Sequence, residues 1–283
     1  IESWIDKVPF KTKEVWHPYP ISLRICNWIW SLSTHNNEIP ENIISSIYNQ
    51  THYLYHHLEF DVLGNHLIEN CKALIVAGVF LNEPIFYEKG LYILKAQLKE
   101  QILSDGGHYE RSPMYHIIVL SDLIAIEEAC QKIRGDVGWV KCAIISMSKW
   151  LHIICEGDFY PLLNDSSFDI TFPPQAVLDY VITSYQVEFK KKENCILSES
   201  GIAIHKTKLF DLWFDVGNLG PDFLLGHAHN DALSLELNIN NEKLLTDSGV
   251  YDYESGEPLI WRPYFRSSKA HNVVTIDDKE PNA

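Results

Sequence analysis

Histidine and aspartate side chains recur in three short segments near the end of the chain, where they could do chemistry together. The segments are 226–231 (GHAHND), 246–249 (TDSG) and 270–272 (AHN). His229, Asp247 and His271 form an imidazole, carboxylate, imidazole set that suits a divalent metal such as zinc. His227 precedes His229 by two positions, so on an extended strand both would point the same way, leaving His227 for acid–base work. A His-x-His pair is also common among ordinary core or surface residues, so the rest of the chain must support this interpretation.

A polar segment in the first half, 105–116 (DGGHYERSPMYH), leads directly into an apolar helix. Ser112 is a suitable N-cap, and Pro113 suits the first helical position. Tyr115 and His116 then lie in the first turn, near the positive end of the helix dipole. We expect the Tyr115 phenol to ionise more easily there, as suits proton transfer. The alternative is a capped helix start with a packed tyrosine.

A second helix start, 64–69 (GNHLIE), places two hydrogen-bonding side chains together. Asn65 and His66 could both hydrogen-bond a carboxylate, although a routine helix N-terminus would look the same. His17 and Arg24 could bind sugar or simply pack. Three further histidines are predicted to lie on a helix face: His52, His56 and His57.

The apolar residues from about 20 to 187 recur with helical period. The pattern predicts seven helices at 21–33, 40–58, 62–80, 84–104, 113–134, 136–155 and 174–186. Proline and glycine stand at the breaks between them, where they end or begin helices. Successive helices joined so tightly must lie antiparallel, so the sequence predicts stacked helical hairpins.

The period changes to two after a charged run at 190–194 (KKKEN). Strands are predicted at 199–207, 209–217, 232–240, 242–249 and 271–277. Asn240 and Asn241 are predicted to form a hairpin turn, because asparagine tolerates positive φ. The sequence therefore predicts a helical domain at 1–192 and an antiparallel sheet domain at 193–283 that carries the metal set. Five strands need a second sheet to cover them, so we expect more protein after Ala283.

The composition of the chain argues against several classes of protein. The 283 residues carry 23 basic and 38 acidic side chains, a net charge of −15, which argues against a general nucleic-acid binder. An acidic substrate would need a few locally placed cations instead. The six cysteines are widely spaced and form no C-x-x-C, so neither a disulfide scaffold nor a cysteine zinc site is indicated. No apolar run is long enough to predict a membrane-spanning helix.

Taken in order, these segments resemble the heparinase II/III-like family of polysaccharide lyases over nearly the whole chain. The matching pieces are 24–28 (RICNW), 64–66 (GNH), 105–116, 226–231, 247–249 with Tyr251 and Tyr253, and 265–268 (FRSS) with 270–272. The resemblance implies an α+β multidomain fold, an incomplete α/α toroid of helical hairpins followed by an antiparallel β-sandwich. It also implies one divalent metal, zinc by expectation, held structurally by His229, Asp247 and His271.

By the same resemblance, the catalytic positions fall on Asn65 or His66, Tyr115 and His227. The implied reaction is β-elimination on an acidic, uronate-containing polysaccharide such as a glycosaminoglycan. Asn65 and His66 would neutralise the uronate carboxylate, while Tyr115 and His227 would supply the acid and the base. Which of the two acts as base depends on whether the C5 proton and O4 share a face of the sugar. Four side chains are predicted to contact substrate: Arg24, Glu110, Arg111 and Arg266.

Two other functions fit parts of this pattern. One is a non-catalytic glycan-binding or envelope-polysaccharide assembly protein with the same fold and metal. The other is a zinc hydrolase in which the metal activates water, which needs an open coordination position and a nearby general base.

Overall fold

Helices come first along the chain and strands follow. The computed structural model describes residues 1–12, 14–34, 38–190, 194–218, 220–221, 223–240, 242–253, 260–277 and 279. The chain divides into two compact units, and each is described by itself. The first unit contains Ile1–Lys99 and Asp122–Lys141; the second contains Glu100–Ser121 and Cys142–Ala283.

The described residues form nine α-helices, seven of which were predicted. They are α1 (Glu2–Lys7), α2 (Pro18–Ser33), α3 (Glu41–His56), α4 (Gly64–Leu81), α5 (Pro84–Gln101), α6 (Pro113–Lys132), α7 (Gly138–Ile154), α8 (Pro174–Tyr185) and α9 (Trp261–Arg266). The boundaries of α2 to α8 lie within three residues of the prediction. Pro84, Pro113 and Pro174 each begin a helix, where the missing N–H costs nothing. The short helices α1 and α9 were missed because six residues are too few to show a period.

Helix α4 forms the core of the first unit and packs against α2 and α3. It is apolar around most of its circumference, as expected of a fully buried helix. Its one buried lysine, Lys72, places Nζ 2.7 Å from both Glu69 Oε2 and Asp122 Oδ1. Burial and the charge of Asp122 raise the pKa of Glu69 to about 8. The lysine therefore balances charge that would otherwise be unpaired inside the unit.

The second unit contains a five-stranded antiparallel sheet. Its strands are β1 (Asn194–Leu197), β2 (Ile202–Lys206), β3 (Phe210–Asp215), β4 (Leu235–Ile239) and β5 (Glu242–Leu245), in the order β1-β2-β3-β4-β5. Side-chain donors tie the sheet to neighbouring helical segments. Trp213 Nε1 donates to Ile154 O at 2.7 Å, and Lys206 Nζ donates to Cys155 O at 2.8 Å.

Through these ties the sheet and the end of α7 fall within one compact unit. The end of α7 and the segment after it are held by the sheet rather than by the earlier helices. Residues 191–193 and Asn241 lie outside the described residues, so the predicted division and the Asn240-Asn241 turn stay predictions. Asn240 itself has the expected positive φ of 53°.

One strand prediction near the end of the chain is wrong. Residues 271–277 form no strand but only an isolated bridge between Ile276 and Lys279, and Val274 is 86% exposed. An alternating pattern cannot form a strand without a partner, and none is present in the described residues. Residues 226–231, for which a strand or a tight turn was considered, form a turn and loop. Among the described helices, none has the length and apolar character that crossing a bilayer requires.

Candidate functional site

Tyr115 and His227 come together in the second unit as a stacked pair. Their ring centroids lie 3.9 Å apart with an interplanar angle of 11°. Tyr115 is in the first turn of α6, where its backbone N–H donates to Ser112 Oγ at 3.2 Å, confirming the predicted cap. His227 lies in the turn at 226–227, and its side chain is 20% exposed. Two proton-transfer groups are thus placed side by side with access to solvent.

Glu110 orients the imidazole of this pair. Its carboxylate accepts a hydrogen bond from His227 Nδ1, and its side chain is only 2% exposed. A carboxylate on Nδ1 keeps the proton there and leaves the Nε2 lone pair available, as in other carboxylate–histidine pairs. Substrate contact by Glu110 stays a prediction; the structure adds this buried contact with His227.

The expected easy ionisation of Tyr115 is wrong in direction. Burial raises the pKa of Tyr115 to about 12, although its hydrogen bond with Tyr253 acts the other way. The negative charges of Asp165 and Glu110 raise it further. The helix end does not offset these effects, so Tyr115 keeps its proton near neutral pH and is a proton donor in the resting protein.

Tyr253, Arg262 and Asp165 continue the cluster from Tyr115. Tyr253 Oη lies 3.1 Å from Tyr115 Oη, and the Arg262 guanidinium lies over the Tyr253 ring at 4.8 Å. Arg262 binds both oxygens of the buried Asp165, with 2.7 Å between Nη2 and Oδ2. Its Nη2 also donates to Gly226 O at 2.9 Å, so Arg262 holds the turn that carries His227.

Arg266 holds the other side of the same loop. Its Nε donates to Ala228 O at 2.9 Å, and its Nη2 donates to Leu225 O at 2.8 Å. Helix α9, which supplies both arginines, therefore positions the His227 loop. Arg111 is engaged similarly, with its guanidinium on the carbonyls of Asn218 and Glu199. Substrate contact by Arg111 and Arg266 stays a prediction, and the structure gives both a role in loop placement.

The predicted metal ligands are buried close together. His271 Nδ1 lies 2.8 Å from Asp247 Oδ2, and the rings of His229 and His271 are 5.1 Å apart. His229 Nε2 hydrogen-bonds Asp165 Oδ1 at 2.6 Å. Burial opposes ionisation of Asp165, but the hydrogen bonds from His229 and Arg262 hold its pKa below the usual range. His227 and His229 thus face different partners, contrary to the expectation that both point the same way.

The donors His229, Asp247 and His271 fit a divalent cation in type and proximity. His229 Nδ1 and His271 Nε2 are buried and have no hydrogen-bond partner among the described residues, which is costly for an imidazole nitrogen. In the part of the chain that the structure describes, however, no three His, Cys, Asp or Glu side chains are arranged around one point as metal ligands. The metal site therefore stays a prediction.

The first unit holds a second polar cluster at the start of α4. His66 Nδ1 lies 3.0 Å from Glu59 Oε1, and the ring of Tyr19 packs on His66 at 4.3 Å. His17 Nδ1 is 3.4 Å from the same Glu59 oxygen. Asn65 adjoins His66 and is 2% exposed. Leu63, just before α4, has a φ of 62°, an unusual conformation for a branched residue and typical of functional segments.

Arg24, the remaining predicted substrate contact, is engaged inside the first unit. Its Nε donates to Gln50 Oε1 at 2.6 Å and its Nη1 to Val15 O at 2.9 Å, while its guanidinium lies 4.2 Å from the Trp4 ring. A glycan contact by Arg24 stays a prediction.

Sequence reasoning missed three charged residues of these clusters: Glu59, Asp165 and Arg262. Asp165 had a usable signal, because residues 160–166 (YPLLNDS) mix apolar and polar side chains between two predicted helices; the structure then buries all seven. A buried polar run without regular structure is typical of a site's supporting shell. Glu59 and Arg262 carried no such signal.

Comparison with known proteins gives the family. The model of the heparinase II/III N-terminus matches residues 1–167, and the heparinase II/III-like C-terminal model matches residues 195–282. The chain belongs to the heparinase II/III-like family. Among curated relatives, the heparin-sulfate lyase of Pedobacter heparinus is 21% identical over 98% of this chain and 47% of the relative. The heparin-sulfate lyase of Bacteroides stercoris is 24% identical over 85% of this chain and 40% of the relative.

Solved structures support the same fold for this heparinase II/III-like chain. A crystal structure of heparinase III matches with a TM-score of 0.81 at 19% identity, covering 99% of this chain and 50% of that one. Heparan sulfate lyase HepC from Pedobacter heparinus matches with a TM-score of 0.67 at 21% identity, covering 99% and 49%. The predicted fold class is confirmed. The chain spans about half the length of the curated relatives it matches.

Proposed function

We propose that this protein is a polysaccharide lyase that cleaves a uronate-containing glycosaminoglycan of the heparan sulfate class by β-elimination. The observation that carries the proposal is the stacked Tyr115–His227 pair with Glu110 on His227 Nδ1. Family membership and relatives named heparin-sulfate lyases support the substrate class.

The reaction divides between the two rings. His227 Nε2 takes the C5 proton of the uronate, and the electron pair left on C5 forms the C4–C5 double bond as the bond from C4 to O4 breaks. Tyr115, protonated in the resting protein, gives its proton to the departing O4. Water is not consumed. Glu110 acts through His227 by stabilising the imidazolium that forms.

The C5 proton is removable only when the adjacent carboxylate is neutralised. We assign that task to Asn65 and His66. With both ring nitrogens carrying a proton, His66 would donate from Nδ1 to Glu59 and from Nε2 to the uronate carboxylate, while Tyr19 packs on its ring. The Asn65 amide can donate without carrying charge.

The direct test is whether the full-length protein makes an unsaturated uronate product from heparan sulfate, measured as new ultraviolet absorbance. Chondroitin sulfate, hyaluronan and alginate provide comparison substrates. Product from heparan sulfate supports the proposal. Binding of the glycan without product would instead indicate a non-catalytic glycan-binding protein, and new reducing ends without the absorbance would indicate a hydrolase.

We further propose that His229, Asp247 and His271 hold one divalent metal, zinc, in a structural role. When bound, the metal would add positive charge among buried carboxylates and join the His229 loop to the segments that carry Asp247 and His271. The buried, unpartnered nitrogens of His229 and His271 support this assignment.

Two histidine variants should separate metal from catalysis. His229→Ala should remove bound metal and lower the midpoint of thermal unfolding, because it deletes a proposed ligand and leaves Asp165 without that partner. His227→Ala should keep the metal and lose activity. Elemental analysis of the purified proteins and calorimetric unfolding check both. Equal metal content in His229→Ala and the parent protein would contradict the ligand assignment.

A further inference from the structure

The first unit also contains a groove that belongs to none of the clusters described above; we call it the histidine groove. It runs between the end of α3 and the turn at 9–12, and its volume is about 600 Å³. This lies within the roughly 300–1,000 Å³ typical of small-ligand pockets. The turn is closed by Thr12, whose backbone N–H and Oγ both donate to Pro9 O, at 3.3 and 2.9 Å. Lys11 has a φ of 64°, so a lysine is held in a strained turn at the edge of this groove.

The polar lining of the histidine groove is basic. It consists of Lys11, Asn49, His52, His56 and His57, and no carboxylate lines it among the described residues. His52 and His56 are one helical turn apart on α3, with ring centroids 4.9 Å from each other. In a chain with 38 acidic and 23 basic side chains, such a lining favours an anionic ligand.

The apolar lining is aromatic. Phe10 and Tyr53 line the groove, and Phe10 is 61% exposed. Tyr53 stacks on His57 at 4.0 Å and contacts Phe10 and Trp16 edge to face, at 6.1 and 5.4 Å. Flat rings beside a few hydrogen-bonding groups suit a sugar ring, which has an apolar face and polar edges. A pair of histidines one turn apart also suits a metal ion, but the lysine and the exposed phenyl ring add nothing to metal binding.

The histidine groove lies near the Glu59–His66 cluster, to which two short connections lead. His57 lines the groove, and Glu59, two residues later, binds His66. Trp16 packs on Tyr53, and the next residue, His17, lies 3.4 Å from Glu59. These connections place the groove near the cluster, within reach of a polymer bound at Asn65 and His66.

We infer that the histidine groove binds an anionic sugar residue of the glycan, one other than the residue whose carboxylate meets Asn65 and His66. The inference rests on the proposed function for the identity of the glycan. It predicts that long glycans bind more tightly than short ones because they reach the groove.

The test is calorimetric binding of a heparan sulfate decasaccharide and a tetrasaccharide to full-length protein carrying Tyr115→Phe, which slows turnover. Adding Lys11→Gln, His52→Gln and His56→Gln should raise the Kd for the decasaccharide on the order of tenfold, since the lysine charge and the two imidazole contacts are lost. The preference for the decasaccharide over the tetrasaccharide should disappear. Lys95→Gln, which removes a positive charge from an exposed position of α5, is the control and should leave both affinities as they were.

Unchanged decasaccharide affinity in the triple variant would overturn the inference, and so would an equal loss for both lengths. Tight Zn²⁺ binding that the triple variant loses, with no change in glycan affinity, would overturn it in favour of a metal site. The test also separates this inference from the proposed function. If the parent protein is inactive but the triple variant still loses affinity for the long glycan only, the groove binds glycan and the lyase proposal is wrong.

Discussion

Replacing Tyr115 with phenylalanine is expected to lower kcat on heparan sulfate by about 10²–10⁴-fold, the usual contribution of a general acid. The substitution removes only the hydroxyl, whose raised pKa of about 12 keeps it protonated and able to protonate O4. The phenyl ring can still stack on His227, so KM should change by only a few-fold. Initial rates of absorbance increase over a range of glycan concentrations separate the two constants.

Two other tyrosines serve as controls for this prediction. Tyr92→Phe removes a hydroxyl from a side chain that is 82% exposed and should leave kcat unchanged. Tyr253→Phe removes the hydrogen-bond partner of Tyr115 and should have a smaller effect than Tyr115→Phe, because no proton passes from Tyr253 to the sugar in the proposed reaction. If Tyr115→Phe keeps more than about a tenth of the parent kcat, the phenol is not the acid.

The helices of this chain were predictable because their limits are local. Pro84, Pro113 and Pro174 set helix starts, and the apolar period between them is long enough to be unambiguous. The strand predicted at 271–277 failed because a strand depends on a partner elsewhere in the chain. Helix α9 was not predicted for a related reason. Arg262 and Arg266 hold it in place by donating hydrogen bonds to loop carbonyls, and no apolar face marks its six residues in the sequence.

The candidate site also has a part that local sequence predicts and a part that depends on distant partners. Short motifs gave Tyr115, His227 and the proposed metal ligands, because their residue types carry the chemistry. Among the carboxylates that orient histidines only Asp165 had a sequence signal, since a partner is defined by distance. Glu110 was predicted to contact substrate, its contact with His227 was not foreseen, and Glu59 and Asp165 were missed. The direction of the Tyr115 pKa also depends on burial, which a helix-dipole argument leaves out.

Asp165 connects more of the second unit's site than any predicted residue. Its carboxylate accepts from His229 Nε2 and binds the Arg262 guanidinium with both oxygens. Through Arg262 it reaches the Tyr253 ring and the carbonyl of Gly226, next to His227. One buried charge therefore supports both the proposed metal ligands and the proposed catalytic loop.

Asp165→Asn is accordingly expected to reduce the free energy of unfolding by about 3 kcal/mol, because it leaves Arg262 and His229 without their buried counter-charge. Activity should fall as well, since the turn that holds His227 loses the support of Arg262. Denaturant unfolding, run with added zinc and with chelator, measures the stability loss in both states. Asp6→Asn, at an exposed position of α1, provides a control for removing one carboxylate.

A double variant makes the argument specific to the Asp165–Arg262 pair. Arg262→Met alone should also destabilise, because Asp165 then keeps a buried charge with one partner fewer. The double variant Asp165→Asn/Arg262→Met should lose less free energy of unfolding than the two single variants lose together. The difference should be roughly 1–3 kcal/mol, as expected for residues that share a buried contact. Strictly additive losses would mean that the two residues act separately, and Arg262 would then hold the His227 turn without help from Asp165.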